Sequence, residues 1–304
     1  MIRIRRPSSI PLPELSLIGI TIIWGASFLV VHIAVELTGA LFLVGLRFLI
    51  AGVLAAAFCW RQLAGLTRFE MFAGLAIGAS IFGGYGLQAY GLQTIESSKS
   101  AFLSALYVPL VPLFQWAVFR KPPGLFSWIG ISLAFIGLLL ISGGGAEGLT
   151  MSRGEIATLA ATVSIAAEIM LIGYFAPQVN TNRVTVVQLL AVALFAFASM
   201  PVVGAPLPAL SWVWIVAVIG LGAASTLIQL VMNWAQRTVS PTRATIIYAG
   251  EPVWAGIIGR IAGERLGPMA LLGGAVIVIG VLVSELRPAR KAPAQVEGRA
   301  PGQA

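Results

Sequence analysis

Two carboxylates fall deep inside long apolar runs: Glu168, about thirteen residues into the run 155–177, and Glu251, about ten residues into the run 242–262. At a helical rise of about 1.5 Å per residue both lie near the middle of a bilayer. There an ionised side chain costs on the order of 2.5–3.5 kcal/mol unless it is paired. Acidic groups kept at that cost are candidates to bind and release a proton, or to meet an amine on a substrate. Arg47, about eight residues into the run 39–60, is a candidate buried partner. An Arg47–Glu251 pair would instead simply lock two helices together.

Uncharged polar residues line up in the same runs. Ser97, Ser100, Ser104 and Tyr107 are spaced 3, 4 and 3 apart, which places them on one helix face, as do Ser225, Gln229, Asn233 and Gln236. Tyr85 and Gln88 form a third group and Thr245 and Tyr248 a fourth. A shared polar cavity that binds a small molecule through Tyr85, Gln88, Ser104, Tyr107, Gln229, Asn233 and Tyr248 is the economical reading. Trp24 and Ser27, near the middle of the first run, are too deep for an interfacial aromatic belt and are candidate cavity walls. The competing reading is that these groups bond helix to helix or pack in a core. Gly74, Gly78, Gly256 and Gly259 are read as close-packing sites. Pro109 and Pro252 each free a carbonyl one turn earlier, so they are candidate hinges or gates.

Other chemistries lack their residues. Aspartate is absent, His32 is the one histidine and Cys59 the one cysteine, so an aspartyl dyad, a His-based metal site and an internal disulfide are excluded. No nucleotide-binding loop and no Gly-x-Ser-x-Gly elbow occurs. The chain is therefore not expected to be an enzyme or to need a cofactor. The net charge of +8 does not signal nucleic acid, because the basic residues are scattered singly between apolar runs.

The elements that must position these groups are membrane spans. Of the 304 residues 58% are hydrophobic and 10% charged, with a mean hydropathy of +0.95. That is too apolar for a water-soluble chain of this length. Spans of about 20 residues are predicted at 14–35, 39–60, 71–92, 97–119, 124–142, 155–177, 184–204, 211–236, 242–262 and 267–285. The fold expected is all-α with ten transmembrane helices. The apolar run after Arg3, Arg5 and Arg6 is read as the first span, not a cleaved signal, because no small-residue cleavage site ends it.

With the N-terminus inside, the inner side receives Arg3, Arg5, Arg6, Arg61, Arg68, Arg120, Lys121, Arg183, Arg237, Arg243, Arg287, Arg290, Lys291 and Arg299. The outer side receives only Lys99, Arg153, Arg260 and Arg265, an asymmetry that puts both termini in the cytoplasm. Residues 1–13 form a cytoplasmic segment, 143–154 an outer linker and 286–304 a tail too polar to bury a core. His32 is expected at the surface, and Glu264 at an outer helix end, as a cap or gate contact.

The chain also repeats itself. At an offset of 143 residues Gln93 matches Gln236, Ser97 matches Ser240, Ala101 matches Ala244 and Pro109 matches Pro252. Gly124, Gly130 and Gly137 match Gly267, Gly273 and Gly280 at the same offset. The copies are 14–142 and 155–285, with five spans each. An odd number of spans inverts the second copy relative to the first, the plan on which many secondary transporters build two gates around one site.

Trp24-Gly25-Ala26-Ser27-Phe28, Leu46-Arg47-Phe48-Leu49, Gly250-Glu251-Pro252-Val253-Trp254-Ala255 and Gly263-Glu264-Arg265 resemble the ten-helix EamA family of the drug/metabolite transporter superfamily. The resemblance runs from about Leu15 to Glu285. It implies two inverted five-helix repeats in a bacterial inner membrane and the movement, frequently outward, of small metabolites such as amino acids. Lipid and a small-molecule substrate are the implied partners; proton antiport and facilitated diffusion both stay open, and the two buried glutamates make protons a candidate partner. The chain departs from the family where Lys121 and Val108 occupy the positions matching Glu264 and Glu251. It departs again where Ile165-Ala166-Ala167-Glu168 replaces a usual aromatic pair. A non-transporting scaffold is the alternative, and a bundle packed solid through its middle would favour it.

Overall fold

The computed structural model describes residues 11–120, 122, 124–141 and 151–284. Residues 1–10, Lys121, Pro123, 142–150 and 285–304 lie outside the described residues. Among the described residues every regular element is helical. They are α1 (Leu12–Thr38), α2 (Ala40–Leu63), α3 (Arg68–Gly91), α4 (Ser97–Ser104), α5 (Tyr107–Phe119) and α6 (Leu125–Ile141). After them come α7 (Arg153–Phe175), a 3₁₀ turn (Ala176–Gln178), α8 (Thr181–Val203), α9 (Trp212–Ala235), α10 (Pro241–Tyr248), α11 (Glu251–Ile261) and α12 (Pro268–Ser284).

Among the described residues seven stretches are long and apolar enough to cross a membrane: α1, α2, α3, the α4–α5 segment Ser97–Val118, α7 with its 3₁₀ turn, α8 and α9. The shorter helices α6 and α12 are also apolar. Large side chains such as Phe58, Leu194 and Val216 are exposed on the outside of the bundle. A contiguous apolar exterior of this kind needs lipid as its solvent, and the chain is an integral membrane protein.

The helices follow the apolar windows closely, with one difference. The windows 97–119 and 242–262 are each broken in two, after Ser104 and after Tyr248. Proline explains both breaks. Pro109 has no N–H to give to Ala105, and the Ala105 carbonyl is taken at 3.0 Å by Val108 in a tighter turn. Pro252 stands four residues after the end of α10 and likewise cannot continue its ladder.

Glycine sets the closest crossings. A Cβ on Gly137 would come within 2.6 Å of the Gly273 carbonyl oxygen, and one on Gly280 within 2.9 Å of that of Gly130. α6 and α12 therefore cross antiparallel with their backbones in contact. α2 and α8 do the same, with Gly45 against Phe197 and Gly52 against Leu190. The neighbours of Gly74 and Gly78 lie on α8, within 2.5–2.8 Å of where their Cβ atoms would be, as expected of packing glycines.

Ion pairs hold the ends of the bundle. Lys99 on α4 pairs with Glu155 on α7 at 2.8 Å, Arg183 on α8 with Glu70 on α3 at 3.3 Å, and Arg243 on α10 with Glu14 on α1 at 2.8 Å. His32 is half-buried, not at the surface, and its Nδ1 lies 2.7 Å from the Leu92 carbonyl. A carbonyl only accepts, so the ring donates there and ties α1 to the end of α3.

Candidate functional site

The two helix breaks meet at a buried polar centre. Tyr107 is the first residue of α5 and Glu251 the first of α11. The Tyr107 hydroxyl is directed at the Glu251 carboxyl group, although neither that hydroxyl nor Glu251 Oε2 completes a hydrogen bond. Gly25 makes room for this arrangement. A Cβ there would lie 2.8 Å from the Glu251 carbonyl oxygen and from Trp254 Cβ, so α1 rests directly on the start of α11.

Glu168 on α7 approaches the same centre. Its Oε1 accepts from Gln229 Nε2 at 2.8 Å, and Gln229 Oε1 accepts in turn from Gln188 Nε2 at 2.8 Å. A chain of side chains thus links α7, α9 and α8. Glu168 Oε2 has no partner. Glu168 lies within electrostatic reach of Glu251, Tyr85 and Tyr248, and all four are buried.

Arg47 closes one side. Its Nε donates to Ser225 Oγ at 2.7 Å, and its guanidinium carbon lies 4.9 Å from the Tyr85 ring centre and 5.4 Å from that of Phe48. Phe48 and Tyr85 themselves pack edge to face at 5.0 Å. The ion pair with Glu251 that the sequence allows is not formed. Arg47 on α2 faces α9 and the aromatic rings instead, and its Nη2 remains unpartnered.

Trp24 and Tyr248 form another wall, edge to face with ring centres 5.7 Å apart, and Gln236 donates to the Tyr248 hydroxyl at 3.2 Å. Other expected residues bond within the bundle. Ser27 donates to the Trp24 carbonyl of its own helix at 2.6 Å, and the Asn233 amide to the Gln229 carbonyl at 2.9 Å. Gln88 and Ser104 bond each other at 2.9 Å and join α3 to α4. Pro109 and Pro252 sit in the first turns of α5 and α11, just past the breaks.

One contribution was not visible in the sequence. Gln188 is fully buried and completes the Glu168–Gln229 chain. Its signal was a glutamine seven residues after Thr181 and three after Thr185, on the face of α8 turned inward. Glu264, read from the sequence as a cap or gate contact at a helix end, lies at the start of α4. Its two oxygens accept from the backbone N–H and the hydroxyl of both Ser97 and Ser98, with the backbone bonds at 3.0 Å. Burial pushes the Glu264 carboxyl up, but these four bonds outweigh it and hold the group below the usual carboxylate range.

Chemically, the centre offers two carboxyl groups, one guanidinium, two amides and several hydroxyls in an otherwise apolar interior. That set supplies donors and acceptors of the kind that orient a small polar or zwitterionic molecule. It offers no cluster of three His, Cys, Asp or Glu side chains that could hold a metal among the described residues.

Comparison with known proteins agrees with this architecture. The EamA-like transporter family matches twice, over residues 12–143 and 152–286. An "uncharacterized transporter" of Archaeoglobus fulgidus is 26% identical over 275 residues, covering 90% of this chain and 86% of the relative. The "uncharacterized inner membrane transporter YedA" of Escherichia coli K12 is 28% identical over 281 residues, covering 89% and 90%. A crystal structure at 18% identity superposes with a TM-score of 0.67 over 90% of this chain and 96% of its own, a likeness of fold. The chain is a member of the EamA-like transporter family, within the drug/metabolite transporter superfamily.

Proposed function

We propose that this protein is a secondary transporter that exports a small polar or amphipathic metabolite, such as an amino acid, by alternating access. In this reading ten spans form two inverted five-helix repeats in a bacterial inner membrane, with both termini cytoplasmic. The substrate binds among Trp24, Tyr85, Tyr107, Gln229 and Tyr248. Glu168 and Glu251 exchange a proton for the substrate amine.

The observation that carries it is the position of Tyr107 and Glu251, each at the start of a half-helix, facing one another beside Glu168. Half-helix N-termini carry partial positive charge and favour a substrate carboxylate, while the two glutamates favour its amine. A zwitterion suits both. The packing supports inversion. Applying the 143-residue offset to the contact of Gly137 with Gly273 gives Gly280 with Gly130, which is the other contact of the same crossing. Equivalent helices that cross antiparallel belong to copies facing opposite ways. The pairings α1 with α11 and α3 with α8 likewise have counterparts in α7 with α5 and α9 with α2.

The test has two stages. Growth protection of an overexpressing strain against toxic metabolites and amino-acid analogues identifies a cargo. Transport of that cargo is then driven by a pH gradient in vesicles carrying the wild type, Glu168→Gln or Glu251→Gln. Loss of gradient-driven uptake in at least one variant, with exchange preserved, supports coupling. Undiminished driven transport in both removes the glutamates from that role.

A further inference from the structure

Away from the polar centre, a lateral cleft of about 770 Å³ opens between α4, α11 and α12. Its size is within the range of about 300–1,000 Å³ common for ligand pockets. On α11 it is lined by Val253, Gly256, Ile257 and Arg260, spaced 3, 1 and 3 apart along one face. Seven residues of helix make that face about 10 Å long. Across it, α12 contributes Leu271, Ala275 and Ile279, one residue per turn. Phe102 of α4 is the floor. A Cβ on Gly274 would come within 2.8 Å of its ring and one on Gly256 within 3.3 Å, so the two glycines keep the cleft deep.

The cleft has a direction. Its walls are apolar along most of the length, and Ile257, Leu271 and Ile279 are exposed on the outside of the bundle, where lipid must lie. Its charge is at one end, where Arg260 in the last turn of α11 and Glu264 just beyond it contribute to the lining. The two charges are not equivalent. Glu264 already accepts four hydrogen bonds from Ser97 and Ser98, which fills both of its oxygens. Arg260 is exposed and its side chain makes no hydrogen bond or ion pair among the described residues, and Arg265 stands exposed five residues later. Arg260 and Arg265 against the single carboxylate of Glu264 leave a net positive charge at that end, with the Arg260 side-chain donors free.

We infer that this cleft is a binding site for an anionic phospholipid, with an acyl chain along Phe102, Ile257 and Ala275 and the headgroup phosphate on the Arg260 guanidinium. A guanidinium fork matches phosphate oxygens, and its weak hydration suits the lipid interface. A zwitterionic lipid such as phosphatidylcholine brings the same phosphate together with a choline cation, which offsets part of the attraction to Arg260. Because Glu264 bridges the mouth of the cleft to the first residues of α4, a lipid seated there also buttresses the contact between α4 and α11. The site does not depend on what the polar centre carries.

The test uses the full-length protein, delipidated in detergent and titrated with phosphatidylglycerol or with phosphatidylcholine of the same chains, read by native mass spectrometry. The wild type should retain phosphatidylglycerol about fivefold better, the ratio expected from one cation at a membrane surface. Arg260→Gln should bring the two lipids level, and Arg260→Lys should restore part of the preference. Arg260 is exposed, so neither change threatens the fold. Ala275→Trp, which fills the cleft, should weaken retention of both lipids. Glycerophosphoglycerol, the headgroup without chains, should not compete. An undiminished preference in Arg260→Gln, unchanged retention in Ala275→Trp, or competition by the soluble headgroup would each overturn the assignment.

Discussion

Tyr107 and Glu251 face one another across the centre of the bundle because each opens a half-helix, two residues and one residue respectively before a proline. An unbroken helix at either place would carry its side chain away along the rod, by about 1.5 Å for every residue restored. The breaks thus do the positioning, and the prolines sustain the breaks.

Replacing Pro252 by alanine returns an N–H that can bond to the Tyr248 carbonyl and let α10 run into α11. The expected result is a protein at least as stable in detergent as the wild type but impaired in transport, because Glu251 leaves its place opposite Tyr107. Pro109→Ala should act in the same way on Tyr107. Melting curves and vesicle uptake measured together check this. A fall in stability with intact transport contradicts it.

The Glu168–Gln229–Gln188 chain predicts unequal losses. Gln229→Leu strips the partner from both Glu168 Oε1 and Gln188 Nε2, two buried groups at about 1–3 kcal/mol each. Gln188→Leu leaves only Gln229 Oε1 without its donor. Gln229→Leu should therefore lower the melting temperature clearly more than Gln188→Leu. Equal shifts would mean that the chain does not act as a unit.

Hydropathy and the repeat were enough to locate the helices, since the windows 39–60 and 71–92 differ from α2 and α3 by three residues or fewer. Burial of polar groups in apolar runs was enough to nominate Glu168, Gln229, Glu251 and Tyr107. What the sequence could not supply was rotation about each helix axis. Gln88, Ser104 and Asn233 have the same composition and spacing as the cavity candidates, yet bond within or between neighbouring helices. Arg47 and Glu251 have opposite charges at similar depth, and only packing decides that Arg47 turns to Ser225 and Tyr85. Gln188 lies in an isolated polar position whose importance depends on Gln229 across the interface.

The repeat glycines are alike in sequence but not in structure. A Cβ on Gly273 would strike the Gly137 carbonyl oxygen at 2.6 Å, whereas nothing lies within 4 Å of one on Gly124 or Gly267. Gly273→Val should separate α6 from α12 and cost stability in the range of overpacked cores, about 1–3 kcal/mol or more. Gly267→Ala should stay within about 0.5 kcal/mol of the wild type. Thermal melting of the two variants side by side separates a packing role from a mere relic of duplication.

Glu264 gives the fold a dependence on acid. Its folded-state carboxyl titrates below the usual range, because the donors of Ser97 and Ser98 outweigh the effect of burial. A depressed folded value means that the stabilisation is complete above the unfolded carboxylate value of about 4.3 and is lost as the pH falls through the lower, folded one. The tie between α4 and the loop after α11 should thus be intact at neutral pH and fail only in strong acid. Glu264→Gln keeps the shape but lacks the charge and can accept on one oxygen alone, so it should melt lower at pH 7 and lose less on acidification. Melting temperatures of the two proteins from pH 7 to pH 3 should therefore converge. Parallel curves across that range would show that the carboxylate of Glu264, as distinct from its bulk, contributes nothing to holding α4 against α11.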